Sequence, residues 1–248
     1  MTARAPLRLH CESRLGAGAI VALPPENAHY LLHVMRRQPG DAVLLFNAED
    51  GEWRATLLKG SKREASVKIE AQLRAPMAAS GPVLLFAPIR RSLSELVVEK
   101  ATELGASAIR PVLTARTQGD RLRPDRLRAI AREAAEQCGR LDIPTLLPSA
   151  SLAAALAEWP ASRPLYFCDE RREAPGLLAT ACAAPAGPAG LLIGPEGGFS
   201  PEEATLLSGM GFVRAVRLGP LVLRAETAAI AALTILRAVE EQRPAGLQ

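Results

Sequence analysis

The chain has 248 residues, 48% of them hydrophobic and only 4% aromatic, enough to bury a sizeable core built mostly from Leu, Ala and Val in one or two domains. Its four cysteines, Cys11, Cys138, Cys168 and Cys182, are scattered without a C-x-x-C pair, which argues against a zinc site or disulfide framework and for reduced thiols in a cytoplasmic protein. Arg4, Arg8 and His10 interrupt any N-terminal apolar run, no stretch is long enough for a membrane helix, and the net charge of +4 is concentrated in residues 1–145, where an anionic partner such as nucleic acid would be engaged.

From Arg8 to Leu73 short strands alternate with turns. Ala19–Leu23 is a strand stopped by Pro24-Pro25, and Asp41–Phe46 is a second, closed by the turn residues Asn47–Gly51. Trp53–Leu58 and Ala65–Ile69 supply two more, with Lys59–Arg63 between them. Pro25–Arg37 reads as a helix, so the segment predicts a small β-barrel of about 70 residues with one helix. Helical spacing puts His29, His33, Arg36 and Arg37 on one side, and Lys59, Lys62 and Arg63 crowd a hairpin tip. Both groups suit RNA contact, although cations at a hairpin tip also keep an edge soluble. Gln72–Pro82, rich in Pro, Ala and Gly, reads as a linker.

The second half alternates strand and helix, which predicts a mainly parallel α/β sheet. Val83–Ala87 is apolar throughout, as a strand buried on both faces should be. Ser94 is placed to cap the helix that follows, and Gly105 to end it. Ala108–Leu113 is the next strand, irregular at Pro111. A basic stretch from Arg116 to Arg132 then runs into a helix whose buried face is Leu127, Ile130, Ala131, Ala134 and Cys138, blocked by Pro144. Pro164–Cys168 is a third strand, followed by Asp169-Glu170, and Ala183–Gly190 is a loop. Ala215–Leu218 is a last strand, and Ala225–Gln242 a closing helix.

Between these elements lies the stretch Leu191–Glu203. Leu191–Ile193 is a buried strand, Gly194, Gly197 and Gly198 allow close approach to bare backbone, and Ser200, Pro201 and Glu203 form a capping-box helix start. Ligands of such sheets bind beyond the carboxyl ends of the strands, where the loops Cys168–Arg171, Gly194–Gly198 and Gly219–Glu226 would meet. The loop is neither a P-loop nor a G-x-G-x-x-G fingerprint, and there is no nucleophile elbow or H-E-x-x-H. All three histidines fall within the first 33 residues, which leaves no metal cluster. A ligand without phosphate or metal fits what remains.

Gly194-Pro195-Glu196-Gly197-Gly198-Phe199-Ser200, then Leu218-Gly219 and Leu223-Arg224-Ala225-Glu226-Thr227-Ala228, resemble the paired C-terminal motifs of the RsmE family. Glu99–Gly105, Ala135–Arg140 with Pro144, and His33–Arg36 ahead of Pro39-Gly40-Asp41 match it as well, in the same order along nearly the whole chain. One departure is Thr114-Ala115-Arg116, where the family usually carries Ser-Glu-Arg. The resemblance implies an S-adenosylmethionine-dependent methyltransferase of the SPOUT class that modifies uridine N3 in small-subunit (16S) ribosomal RNA. It implies a PUA-like β-barrel for RNA over residues 1–74, a linker over 75–82, and a trefoil-knotted parallel-sheet domain over 83–248, which would form a homodimer.

By motif match the cofactor would lie against Gly194, Pro195, Glu196, Gly197, Gly198, Leu218, Gly219, Leu221, Leu223 and Arg224, with Phe167 and Cys168 on the preceding strand. Leu221 and Leu223 have core packing as a rival role. Methylation at N3 needs a proton removed or an anion stabilised, which assigns Arg224 to negative charge on the uracil oxygens and Glu226 to a supporting bond. A helix N-terminal carboxylate is the plainer role for Glu226. Glu136, Gln137 and Arg140 suit either a partner's site or a helix-end network. Arg8, Arg36, Arg90, Arg91 and Arg116 are the expected phosphate contacts. Two other readings use the same residues: a related SPOUT enzyme with another rRNA or tRNA target, and a catalytically silent RNA-binding or assembly factor.

Overall fold

The computed structural model describes residues 6–58, 60, 64–77, 80–119, 121–169 and 174–243. Lys59, Lys62 and Arg63 of the hairpin tip, Ala78-Ala79 of the linker, and Glu170 and Arg171 after the third strand lie outside the described residues. The chain divides into two compact units, Met1–Ala79 with Ala135–Ile143, and Ser80–Ala134 with Pro144–Gln248.

In the first unit β1 (Leu7–His10), β2 (Ile20–Leu23), β3 (Ala42–Asn47), β4 (Gly51–Leu57) and β5 (Ala65–Arg74) form one sheet in the order β1-β3-β4-β5-β2. β1 runs parallel to β3, and the other pairs are antiparallel. Alternation along each strand turns one side onto a single apolar cluster that includes Leu9, Val21, Leu45, Leu57 and Ile69. Ala28 of α1 (Pro25–His29) joins that cluster, and so does Leu31. The helix expected to reach Arg37 ends sooner. After α1 the chain widens into a π-helical turn, Tyr30–Val34, and then reverses at Arg36, whose φ of 51° is left-handed.

Phe46, fully buried on the opposite side of β3, packs with Ala135 and Leu141. Arg8 belongs to this cluster and corrects the expectation of a phosphate contact. Its guanidinium lies 3.7 Å over the Phe46 ring and pairs with Glu52, whose side chain is 7% exposed. It also donates to the carbonyls of Ala135 (2.7 Å) and Arg140 (2.5 Å). Long-range partners have taken the donors that phosphates would need. The Glu136 carboxylate accepts from the His10 N–H at 3.0 Å, and Arg140 pairs with Asp142 at 2.7 Å. Glu136 and Arg140 thus serve the helix-end network within this chain.

The second unit is built on a parallel sheet in the order β12-β10-β11-β6-β7-β8, with β9 also on β7. Its strands are β6 (Val83–Phe86), β7 (Ala108–Leu113), β8 (Thr145–Leu146), β9 (Ala150–Ser151), β10 (Leu165–Cys168), β11 (Gly190–Ile193) and β12 (Val213–Val216). The central β6 and β11 are buried at every position, which explains their unbroken apolar runs. Leu85, Phe167 and Leu192 cluster with Leu152 and Leu156 of α4 (Leu152–Ala157) and Leu207 of α6 (Pro201–Gly209). Elsewhere α7 (Ala225–Gln242) packs on α2 (Arg91–Glu103), α5 (Leu177–Ala183) and β11. Alanines dominate the buried stripe of α7, so its backbone lies close to its neighbours.

Two local expectations change. Ser94 does not cap α2; it lies inside the helix, fully buried, and its hydroxyl contacts both the N–H and the carbonyl of Ile89 at 3.1 Å. Cys138, at the end of α3 (Pro124–Cys138), is exposed, while Leu127, Ile130, Ala131 and Ala134 of the same helix are buried as expected. α4 and α5 occupy alanine-rich stretches between the expected strands, and Ser151 caps α4, its hydroxyl accepting from the Ala154 N–H at 3.2 Å.

Removal of Arg8 leaves the Glu52 carboxylate buried with a weaker partner, Arg74 at 3.7 Å. Arg8→Ala is therefore expected to destabilise the fold by about 3 kcal/mol, read as a lowered urea midpoint.

Candidate functional site

β11 leads directly into Gly194, and there the backbone has no room for a side chain. A Cβ on Gly194 would stand 2.4 Å from the Phe199 ring. That ring is held edge-on against Phe167 of β10, with centroids 5.0 Å apart. The chain turns back at once, the Gly198 N–H donating to the Pro195 carbonyl at 2.9 Å with Gly198 at a φ of 67°. A left-handed residue in this turn favours glycine.

Ser200 then caps α6. Its hydroxyl accepts from the Glu203 N–H at 3.2 Å, and Glu203 Oε2 accepts from the Ser200 N–H at 2.9 Å. The other oxygen, Glu203 Oε1, accepts from the Ala115 N–H at 2.8 Å. Arg116 Nη1 in turn donates to the Gly197 carbonyl at 2.8 Å. The Thr114–Arg116 turn is thus latched to the glycine loop. Arg116, expected on RNA phosphate, sits at the cavity beside that loop.

β10, β11 and β12 are neighbours and parallel, so their carboxyl ends open on the same side. The loops beyond them enclose a cavity of about 510 Å³, within the range of small-molecule sites. Phe167, Cys168, Gly194, Pro195, Glu196, Gly198, Leu218, Gly219, Leu221, Leu223 and Arg224 all line it. Gly197 does not; it lies on the exposed side of the turn, under Arg116. Leu221 is 74% exposed, which removes the rival role of core packing for that residue. Ser200 and Pro201, expected only to start a helix, also reach the wall.

Glu226 stands apart. It occupies the first turn of α7 outside the cavity lining, and its Oε2 is buried without a hydrogen-bond partner among the described residues. A helix advances by 100° per residue, so Arg224 and Glu226 face different ways. The expected pairing of the two at one site is not what the structure holds.

The cavity's charges are mixed: the guanidinium groups of Arg116, Arg217 and Arg224 against the carboxylates of Asp169 and Glu196. Arg217 was not among the expected residues. β12 ends at Val216, two residues earlier than the sequence suggests, and places Arg217 in the first position of the following loop. Its N–H donates to the Pro175 carbonyl at 2.9 Å, which fixes that position. A third acid lies close by: the Ser200 hydroxyl, and more weakly Arg116, hold the Glu202 carboxyl below its usual range. Burial pushes the Cys168 thiol up to about 12, so it meets a ligand as a neutral, polarisable group and not as a thiolate. Of the remaining expected RNA contacts, Arg36, Arg90 and Arg91 are exposed, Arg36 in the first unit and the other two at the start of α2.

Comparison with known proteins assigns this arrangement to a class. An RNA methyltransferase domain model matches residues 80–237, and an RNA methyltransferase PUA domain model matches residues 23–70. The chain is 31% identical over 231 residues to the ribosomal RNA small subunit methyltransferase E of Rickettsia conorii, covering 93% of this chain and 94% of that one. The Neisseria gonorrhoeae enzyme of the same name, solved with bound S-adenosylmethionine, superposes with a TM-score of 0.84 at 26% identity, covering 95% of this chain and 98% of that one. A Legionella pneumophila methyltransferase solved with the same cofactor gives 0.84 at 31% identity, covering 94% and 98%. Fold and sequence together define an RNA methyltransferase. The chain belongs to the ribosomal RNA small subunit methyltransferase E family.

A protonated thiol at the cavity wall has a direct chemical signature. At pH 8 Cys168 is expected to react with iodoacetamide at least about tenfold more slowly than the exposed Cys138 and Cys182, measured by peptide mass spectrometry over a time course.

Proposed function

We propose that this protein transfers a methyl group from S-adenosylmethionine to N3 of a uridine in small-subunit (16S) ribosomal RNA, as a cytoplasmic homodimer whose second unit carries the trefoil knot. The observation that carries the reading is the convergence of both C-terminal motifs on one cavity beyond three adjacent parallel strands. The cavity's donor set fits the cofactor. Ile193, Leu218 and Leu223 offer apolar walls for an adenine, and the turn at Gly194–Gly198 offers bare backbone. Asp169 and Glu196 offer carboxylates to the cationic end of a methionine moiety. The cofactor supplies an electrophilic methyl carbon on a sulfonium.

The chain's own groups prepare the nucleophile. Uridine N3 bears a proton in its ordinary state, and its Watson–Crick edge is reachable only when the base is unstacked or single-stranded. Arg224 lines the cavity at the start of α7, exposed and cationic, and is assigned to the negative charge that grows on the uracil oxygens as the proton leaves. Arg217 stands in the same wall as a second cation. The latch from Arg116 and Glu203 holds the glycine loop in place, so that orientation is set before the base arrives. Arg36, Arg90 and Arg91 retain the role of phosphate contacts. Glu226 keeps the helix-dipole role.

Mass-spectrometric mapping of modified uridines in small-subunit rRNA, with and without the protein and its cofactor, is expected to show one new N3-methyluridine. Absence of any new methyl group would overturn the reading. In the same assay Arg224→Ala is expected to lower turnover roughly 100-fold or more, while the affinity for S-adenosylhomocysteine by calorimetry changes far less. Gly194→Ala is expected to do the reverse. Displacement of the Phe199 ring would weaken S-adenosylhomocysteine binding by about tenfold or more, and saturating cofactor would recover most of the turnover.

A further inference from the structure

The first unit carries a surface that the methyl-transfer site does not use. α1 and the π-helical turn after it bury Ala28 and Leu31, and turn a different set of side chains outward. The His29 and His33 rings lie 5.0 Å apart with 33° between their planes. Tyr30 is 39% exposed and Val34 57% exposed on the same segment. Two imidazoles, a phenol and a valine exposed on one short segment, in a protein with 4% aromatic residues, offer a contact surface to a partner.

The segment ends on a cation held in an unusual backbone. Arg36 has the only left-handed φ of any non-glycine among the described residues. It occupies the position where a helix usually ends on glycine, and the Arg37 N–H reaches back to the Leu31 carbonyl at 2.9 Å. An arginine there costs about 1 kcal/mol relative to an ordinary conformation. Its side chain is exposed and forms no ion pair among the described residues.

We infer that His29, Tyr30, His33 and Val34 form a stacking platform for unpaired bases of the RNA substrate, with Arg36 on the adjoining phosphate. This rests on the reading of the substrate as RNA. Ring faces bind any base whose partner has been removed, whereas duplex recognition relies on an array of cations along the backbone. Among the described residues Arg36 is the exposed guanidinium of this segment, beside two imidazoles and a phenol, and rings of that kind stack on unpaired bases. Each base stacked in this way contributes by its π-face and shape, so sequence preference at this surface should be weak.

The test is fluorescence anisotropy with a labelled single-stranded oligoribonucleotide taken from small-subunit rRNA and with the same sequence as a duplex. Wild-type protein is expected to bind the single strand more tightly. Tyr30→Ala and the double variant His29→Ala/His33→Ala are expected to weaken it by about 5- to 150-fold with little change in salt dependence. His33→Phe should keep the wild-type affinity, because a ring remains. Arg36→Ala should instead lower the slope of log affinity against log salt by roughly 0.7. All these side chains are exposed, so melting temperature and S-adenosylhomocysteine binding should stay at wild-type values. Variants that bind as wild type does, equal binding of duplex and single strand, or a wild-type chain that binds no RNA would each overturn the inference. Wild type that binds the single strand through these rings yet methylates no rRNA would support the platform and overturn the proposed reaction.

Discussion

The ladder joining β12, β10 and β11 is the constraint on which the rest of the second unit depends. Leu165 pairs with both Gly190 and Val213, and the register continues without a bulge to Phe167 with Leu192 on one side and Cys168 with Val216 on the other. Parallel strands in even register must release their loops at one level. Three stretches more than twenty residues apart in sequence are brought to a common rim by backbone geometry alone. A register slip of one residue in β11 would turn its side chains over and rotate the glycine loop away from the other two. Both faces of β11 are packed, so the slipped side chains would misfit their neighbours on either side.

Glu203 adds a second level of order. A capping box needs only one carboxylate oxygen, and Glu203 gives its other to the Ala115 N–H. Helix start, glycine loop and the Thr114–Arg116 turn are thereby set by one side chain. The family's usual Ser-Glu-Arg element is Thr-Ala-Arg here, and the contact made by Ala115 is through its backbone, which any residue at that position supplies. The arginine, whose guanidinium holds the Gly197 carbonyl, is the member of the triplet that this chain keeps.

Much of the site could be read in the residues because its signals are local. Ser200, Pro201 and Glu203 announce a helix start within four residues, and Gly194–Gly198 announce a turn. Strands β6 and β11 are legible for the same reason, since burial on both faces needs an unbroken apolar run. What could not be read depends on distant partners. Nothing near Arg8 says that Glu52, Phe46 and the carbonyls of Ala135 and Arg140 will surround it, so it resembles any surface cation. Arg217 enters the cavity only because β12 ends at Val216. Glu226 leaves it because α7 begins at Ala225 and carries the next side chains around its axis. Ser94 has the composition of a cap and the burial of a core residue, and burial decides.

The first unit is not contiguous in sequence, and this bears on how the chain acquires its structure during synthesis. Residues 135–143 supply the carbonyls that receive Arg8, the alanine and leucine beneath Phe46, and the carboxylate that holds the His10 N–H. More than fifty residues of the second unit emerge between the two pieces. The nascent sheet therefore holds the Arg8–Glu52 pair and the Phe46 ring without their partners from 135–143 until α3 has been made. At translation speeds of about 5–20 residues per second, that interval lasts several seconds. The first unit is thus completed only after residues 80–134 of the second have been made.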